Sequence, residues 1–177
     1  PSDKETIYGV AGISVWNSYG LPTNSRQSSA GISPTQELID SYETADGHPI
    51  LKKTGDGKYY KDDSHLQPNF NEAAGYDDQN PYENRDPRFY QSVYFNGAQR
   101  HWDDPDELVK IYDNAPKDSS CAIDKTTIRN TRTGYYMRKY DKHTSSYETP
   151  VTGYVRRFRL AELYLNFAEA ANEAYSP

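Results

Sequence analysis

The residues that could do chemistry in this chain are scattered. His48, His65, His101 and His143 stand apart, with no HxH or HExxH pairing and no cysteine at zinc-ligand spacing. Two acidic runs, "GDGKYYKDD" at 55–63 and "DDPDE" at 103–107, invite a calcium reading. Neither has acids at alternate positions closed by a glutamate, so both read as solvated acidic loops. The single cysteine, Cys121, cannot form an internal disulfide and reads as a packed or surface thiol. No phosphate-cradling glycine loop, GxGxxG or GxSxG is present, so the sequence assigns no catalytic residue, no metal and no cofactor. What remains is a set of aromatic residues in polar loops: Trp16, Tyr19, Tyr59, Tyr60, Tyr76 and Trp102, interleaved with Asn, Asp, Gln and Arg. Aromatic faces stack on the CH-rich face of a sugar, while amide and guanidinium groups bond its hydroxyls. On that chemistry Trp16, Asn17, Tyr19, Arg26, Tyr76 and Trp102 are the candidate ligand-binding residues. Packing in a core short of aliphatics is the competing role for each ring.

Composition limits the frame that can hold such a site. Leu, Ile, Val and Phe make up about 15 % of 177 residues, and the net charge is −6, a balance that borders on disorder. Seventeen tyrosines and two tryptophans argue for a folded, loop-rich domain packed largely by aromatic rings. A pI near 5.2 disfavours nucleic acid as a partner. No run of 18 apolar residues exists to span a bilayer, and "PSDKETIYGV" has no signal-peptide pattern, so any export address lies outside this segment.

Residues 1–33, rich in Gly and Ser, read as a long structured loop. Ser33, Pro34 and Gln36 predict a short helix with Ser33 as N-cap, Pro34 at N1 and Gln36 at N3. Asp46-Gly47 predicts a turn, and residues 54–83 predict loop. Asp86-Pro87 predicts a second capped turn of helix. "QSVYFNGAQRHW" predicts a hairpin about a type I′ Asn96-Gly97 turn, with Phe95 opposite Ala98 and Val93 opposite Arg100. Residues 103–120 predict a polar connector. "TGYYMRKY" predicts a strand with Tyr136, Arg138 and Tyr140 on one face and Tyr135, Met137 and Lys139 on the other. From Arg157 the polar residues Arg159, Glu162, Asn166, Glu169 and Glu173 form one narrow helical stripe, and apolar residues cover the flanks. Such a helix predicts packing on two sides, with Arg159 pairing Glu162 and an end near Ser176-Pro177. Either it belongs to a helical array whose other members lie elsewhere, or it crosses a small sheet in an α+β domain.

Four segments, taken in order, resemble the SusD/RagB family of outer-membrane nutrient-binding lipoproteins. These are "SPTQELIDSYETADGHPI" (33–50), "NPYENRDPRFYQSVYFNG" (80–97), "TGYYMRKY" (133–140) and "RFRLAELYLNFAEAANE" (157–173). The resemblance implies a mainly α fold, with tetratricopeptide-type helix pairs beside an irregular, loop-rich subdomain with short β-hairpins. Residues 1–156 would form the ligand-binding subdomain and 157–177 one scaffold helix, making the chain an incomplete, central piece of such a protein. It implies non-catalytic capture of an oligosaccharide or polysaccharide, or in some members a peptide, for a SusC-like TonB-dependent transporter. It also implies an outward-facing place on the outer membrane, held by a lipidated cysteine outside this segment. Within the matched blocks Asp86, Pro87 and Arg88, with Arg85, read as framework ion pairs and caps.

Overall fold

The computed structural model describes residues 4–11, 32–112, 131–139 and 154–175. Their elements are β1 (Thr6–Ala11), α1 (Gln36–Asp40), a 3-10 turn (Glu72–Ala74), α2 (Pro87–Ser92), β2 (Val93–Tyr94), β3 (Gln99–His101), β4 (Asp104–Leu108), β5 (Tyr136–Met137), β6 (Tyr154–Arg159) and α3 (Leu160–Tyr175). The strands pair as three antiparallel two-stranded ladders, β1 with β6, β2 with β5 and β3 with β4.

Both short helices start on side-chain caps. Asp86 caps α2 by accepting from the Arg88 amide at 2.7 Å, with Pro87 at the first helical position. The cap of α1 is Thr35, not Ser33: the Thr35 hydroxyl accepts from the Leu38 amide at 3.3 Å. Ser33 is used elsewhere, accepting from the Thr131 hydroxyl at 3.3 Å. Gln36 donates to Asp40 at 2.8 Å instead of closing a capping box. At Asp46-Gly47 the chain turns as expected, with the Gly47 amide on the Thr44 carbonyl and Gly47 at φ +78°.

The expected hairpin at 91–102 is corrected. The chain does turn at 95–98, where the Ala98 amide donates to the Phe95 carbonyl at 3.0 Å. Gly97 has φ +86°, but Asn96 is not among the positive-φ residues. A type I′ turn needs positive φ at both centres, and turns of the unprimed types splay their flanking strands. Each arm accordingly finds another partner. Val93 sits opposite Met137 and Tyr94 opposite Tyr136, while Gln99 pairs with Leu108 and His101 with Asp104. The acidic stretch read as connector is thus strand β4.

Strand alternation then divides the core. Tyr136 faces a cluster of Tyr94, Ala98 and Val109, while its neighbour Tyr135 faces Ile39, Phe89 and Val93. Arg138 lies on the Tyr136 side, its guanidinium 5.1 Å from the Tyr94 ring. Tyr140 lies outside the described residues. A third cluster joins Ile50, Leu51 and Tyr60 under Phe70 and Tyr76. Rings do much of this packing: Phe95 stacks on Tyr82 at 4.5 Å and on Phe89 at 5.3 Å, and Tyr42 meets Phe89 edge-on. Residues 49–71 are irregular but tied down. Single bridges join Leu51 to Phe70 and Tyr60 to Pro68, and backbone bonds run from Lys52 to Asn69 and from Asn71 to Ile50.

At the chain's ends two expectations change. Residues 6–11 are a strand rather than loop, and residues 157–159 belong to β6 rather than to the helix. Pairing with β1 holds 154–159 extended, and α3 begins where the Leu160 amide reaches the Glu5 carbonyl at 2.8 Å. Arg159 pairs with Glu5 at 3.5 Å instead of with Glu162. Among the described residues α3 buries no side chain: Leu163, Tyr164, Leu165 and Phe167 are all exposed, Phe167 at 72 %.

Candidate functional site

α1 and the bridged segment after it enclose an open cleft of about 680 Å³. Its apolar part comes from Pro49, Leu51, Tyr59 and Tyr60. The Tyr60–Pro68 and Leu51–Phe70 bridges fix the backbone that carries these groups. Tyr60 and His65 stack with parallel planes and ring centres 4.6 Å apart, and His65 holds that position from a left-handed backbone at φ +59°. The His65 Nδ1 lies 3.0 Å from Glu37 on α1, so the loop is tied to the helix across the cleft. The Tyr60 hydroxyl donates to the buried Asp40 at 2.7 Å. Asp40 in turn accepts from Gln36, whose carbonyl oxygen accepts from the Tyr135 hydroxyl at 3.2 Å. A polar chain therefore runs from the cleft into the aromatic core.

The cleft is acidic. Among the described residues Glu37, Asp40, Glu43, Asp62 and Asp63 line it, with Lys58 as the one lysine or arginine. Lys58 is committed to Asp63 at 2.8 Å; the pair holds the Asp63 carboxyl below its usual range and raises the lysine. The hydrogen bond to His65 likewise holds Glu37 below the ordinary glutamate value. Burial, then the bond to Asp40, raises the Tyr60 phenol, so it stays a neutral donor. Tyr59 is half exposed at the mouth, and the Lys53 ammonium lies 5.7 Å from its ring centre. Among the described residues no group of three or more His, Cys, Asp or Glu is placed to hold a metal ion. The cleft offers flat rings and charged acceptors.

Trp16, Asn17, Tyr19 and Arg26 lie outside the described residues. Trp102 is 71 % exposed, between β3 and β4. The Tyr76 ring packs on Phe70 at 5.3 Å and lies 5.3 Å from the Arg85 guanidinium. Tyr59 and Tyr60 line the cleft together with Lys58, Asp62 and Asp63, all from the run that invited a calcium reading. The helix that supplies its other side comes from another block of sequence, and no local pattern announces the two together.

The motif 85–88 is built into the frame. Arg88 pairs with Asp86 through Nε, at 2.8 Å to one carboxylate oxygen and 3.0 Å to the other, and reaches Glu43 at 3.6 Å. Arg85, read as a member of ion pairs, meets carbonyls instead: its guanidinium donates to Ile39 at 2.6 Å, Pro81 at 2.9 Å and Tyr42 at 3.2 Å. It thus ties the end of α1 to the loop before α2. The Arg88 bonds hold the Asp86 carboxyl below its usual value. A depressed carboxylate stabilises fully above its unfolded pKa, about 3.9, and loses that contribution as pH falls through the folded value. Asp86→Asn is expected to flatten the acid limb of a stability-against-pH curve below that point while lowering the midpoint at neutral pH; urea titrations across the range read both.

Solved structures with this fold are found. A SusD-like carbohydrate binding protein from Bacteroides fragilis aligns with a TM-score of 0.61 at 24% identity, over 98% of this chain and 30% of that one. A second SusD-like protein from Bacteroides fragilis aligns with a TM-score of 0.57 at 26% identity, over 98% of this chain and 33% of that one. The chain therefore spans about a third of the length of these relatives. No curated protein gives a significant match. The model of the SusD family matches residues 4–176, nearly the whole chain, so this protein belongs to the SusD family.

Proposed function

We propose that the chain forms part of a non-catalytic surface protein that binds an oligosaccharide or polysaccharide nutrient and delivers it to a SusC-like TonB-dependent transporter. Family membership over residues 4–176 carries this reading, and the resemblance to a protein described as carbohydrate binding supports it. Attachment to the outer face of the outer membrane would come from a lipidated cysteine outside this segment; no helix among the described residues is long and apolar enough to cross a membrane. Residues 1–156 would hold the ligand, through Trp16, Asn17, Tyr19, Arg26, Tyr76 and Trp102 in the polar loops. Helix α3, from Leu160, would belong to a scaffold of tetratricopeptide-type helix pairs, a reading supported by its exposed apolar flanks.

Affinity electrophoresis tests the function. The full-length protein is expected to be retarded in native gels that contain a plant, host or microbial polysaccharide, and Trp16→Ala to lose most of that retardation. Normal migration across a broad panel overturns the reading. A second reading, capture of basic peptides on the same scaffold, is favoured by the acid-lined cleft. Peptide co-purifying with the protein, with no response to any glycan, would establish it instead.

A further inference from the structure

The cleft between α1 and residues 49–65 has a chemistry that the general reading does not specify. A neutral sugar needs a flat ring to stack on and a balanced set of donors and acceptors. This cleft has the flat rings, Tyr59 and the Tyr60–His65 stack, but its polar groups are overwhelmingly anionic acceptors. Its lysine is already engaged by Asp63. Asp62 accepts only from its own loop, through the Ser64 amide at 2.9 Å and the Ser64 hydroxyl. Asp40 accepts from two neutral donors, Gln36 and Tyr60. Acids gathered beside aromatic rings and apolar surface favour a ligand that brings a positive charge, because the same ring faces also attract cations. The chain itself supplies an instance: the ammonium of Lys53, an exposed side chain, lies over the Tyr59 ring. A sugar ring laid on Tyr59 has only this solvated lysine to displace.

We propose that this cleft is a subsite for a protonated amino sugar, with the pyranose ring laid on Tyr59 and the Tyr60–His65 stack and its ammonium directed at Glu37 and Asp62. The assignment deepens the glycan-binding reading and rests on it. It specifies that a free amine is favoured over a hydroxyl or an acetamide at the same carbon. A hydroxyl brings no charge, and an acetamide brings bulk and no charge. The cleft volume falls within the range of small-ligand sites, about 300–1,000 Å³, so it admits a short stretch of a chain rather than one atom group.

Three trisaccharides that differ only in the C2 substituent of each ring isolate the point: chitosan trimer (amine), chitin trimer (acetamide) and cellotriose (hydroxyl). In calorimetric titrations of the full-length protein at mildly acidic pH and low salt, chitosan trimer is expected to bind at least tenfold more tightly than the other two. Added salt should narrow that gap, since the sites are partly exposed. Glu37→Gln combined with Asp62→Asn should remove most of the preference. Both amides keep an acceptor for His65 and for Ser64, and an unchanged circular dichroism spectrum and cellotriose affinity would show that the cleft is intact. Equal binding of all three sugars overturns amine selection while leaving glycan binding in place. Silence of all three overturns the subsite, and only silence across the whole polysaccharide panel would also remove the general function. Binding of tri-lysine without chitosan trimer overturns the amino sugar in favour of a basic peptide.

Discussion

Arg85→Met is expected to cost about 3–5 kcal/mol of stability, the range for removing one member of a buried charged network. The side chain is 1 % exposed, and its guanidinium serves three carbonyls, two of them at the end of α1. The Ile39 carbonyl also accepts from the Tyr42 amide at 3.3 Å, whereas the Pro81 and Tyr42 carbonyls are served by the guanidinium. Burying an ionised arginine is costly in itself, and among the described residues Nε has no hydrogen-bond partner, a balance under which an apolar isostere is often neutral. What decides the sign is the acceptors. A mutation can remove the donor but not the backbone oxygens of Pro81 and Tyr42, and each oxygen left dry costs about 1–3 kcal/mol; Ile39 keeps the Tyr42 amide. Methionine also loses the stacking of a planar cation against Tyr76 and Phe89, at 5.3 and 4.8 Å. Arg85→Lys should recover only part of the loss, because an ammonium lacks the planar fork that reaches several carbonyls together. Urea midpoints measure all three proteins. A loss below about 1 kcal/mol for Arg85→Met would show that water replaces the donors.

Phe89→Ala should be of similar size, about 3–5 kcal/mol for truncating a buried phenylalanine. Phe89 is fully buried, and its ring contacts Tyr42, Tyr90 and Phe95 as well as the Arg85 guanidinium. The residues around it come from α1, α2 and the strands, so a cavity here loosens the packing that sets α1 against the rest. Because Phe89 and Arg85 touch, their effects should not add. A double mutant is expected to be less destabilised than the two single losses together, by at least about 0.5 kcal/mol. Strict additivity would mean that the ring and the cation act independently.

These two residues mark where local sequence reasoning succeeds and where it stops. The capped start at Asp86-Pro87, the Asp46-Gly47 turn and the opposite sides taken by Tyr135 and Tyr136 depend on neighbours a few residues away, and the structure has them, although the strand expected over 133–140 is only Tyr136–Met137. The hairpin about Asn96-Gly97 failed because its outcome depends on β5, some forty residues later. The start of the last helix moved to Leu160 because β1, at the other end of the chain, holds residues 154–159 extended. Arg85 is legible as framework, but carbonyl partners carry no side-chain signature, so the sequence alone points to an ion pair. The cleft is a further case. Tyr59 and Tyr60 stood out as aromatics in a polar loop, while the facing acids of α1 are brought to them by the single bridges of residues 49–71 and by the His65–Glu37 contact.

Hydrogen exchange of the full-length protein, with and without a glycan that retards it in a native gel, locates the bound ligand on the chain. Exchange is expected to slow over residues 1–156, in the segment carrying Trp16 and Tyr19 and around the cleft at 37–65, with α3 unchanged. Protection confined to residues 160–175, or no protection anywhere in the chain while the glycan is bound, would contradict that placement.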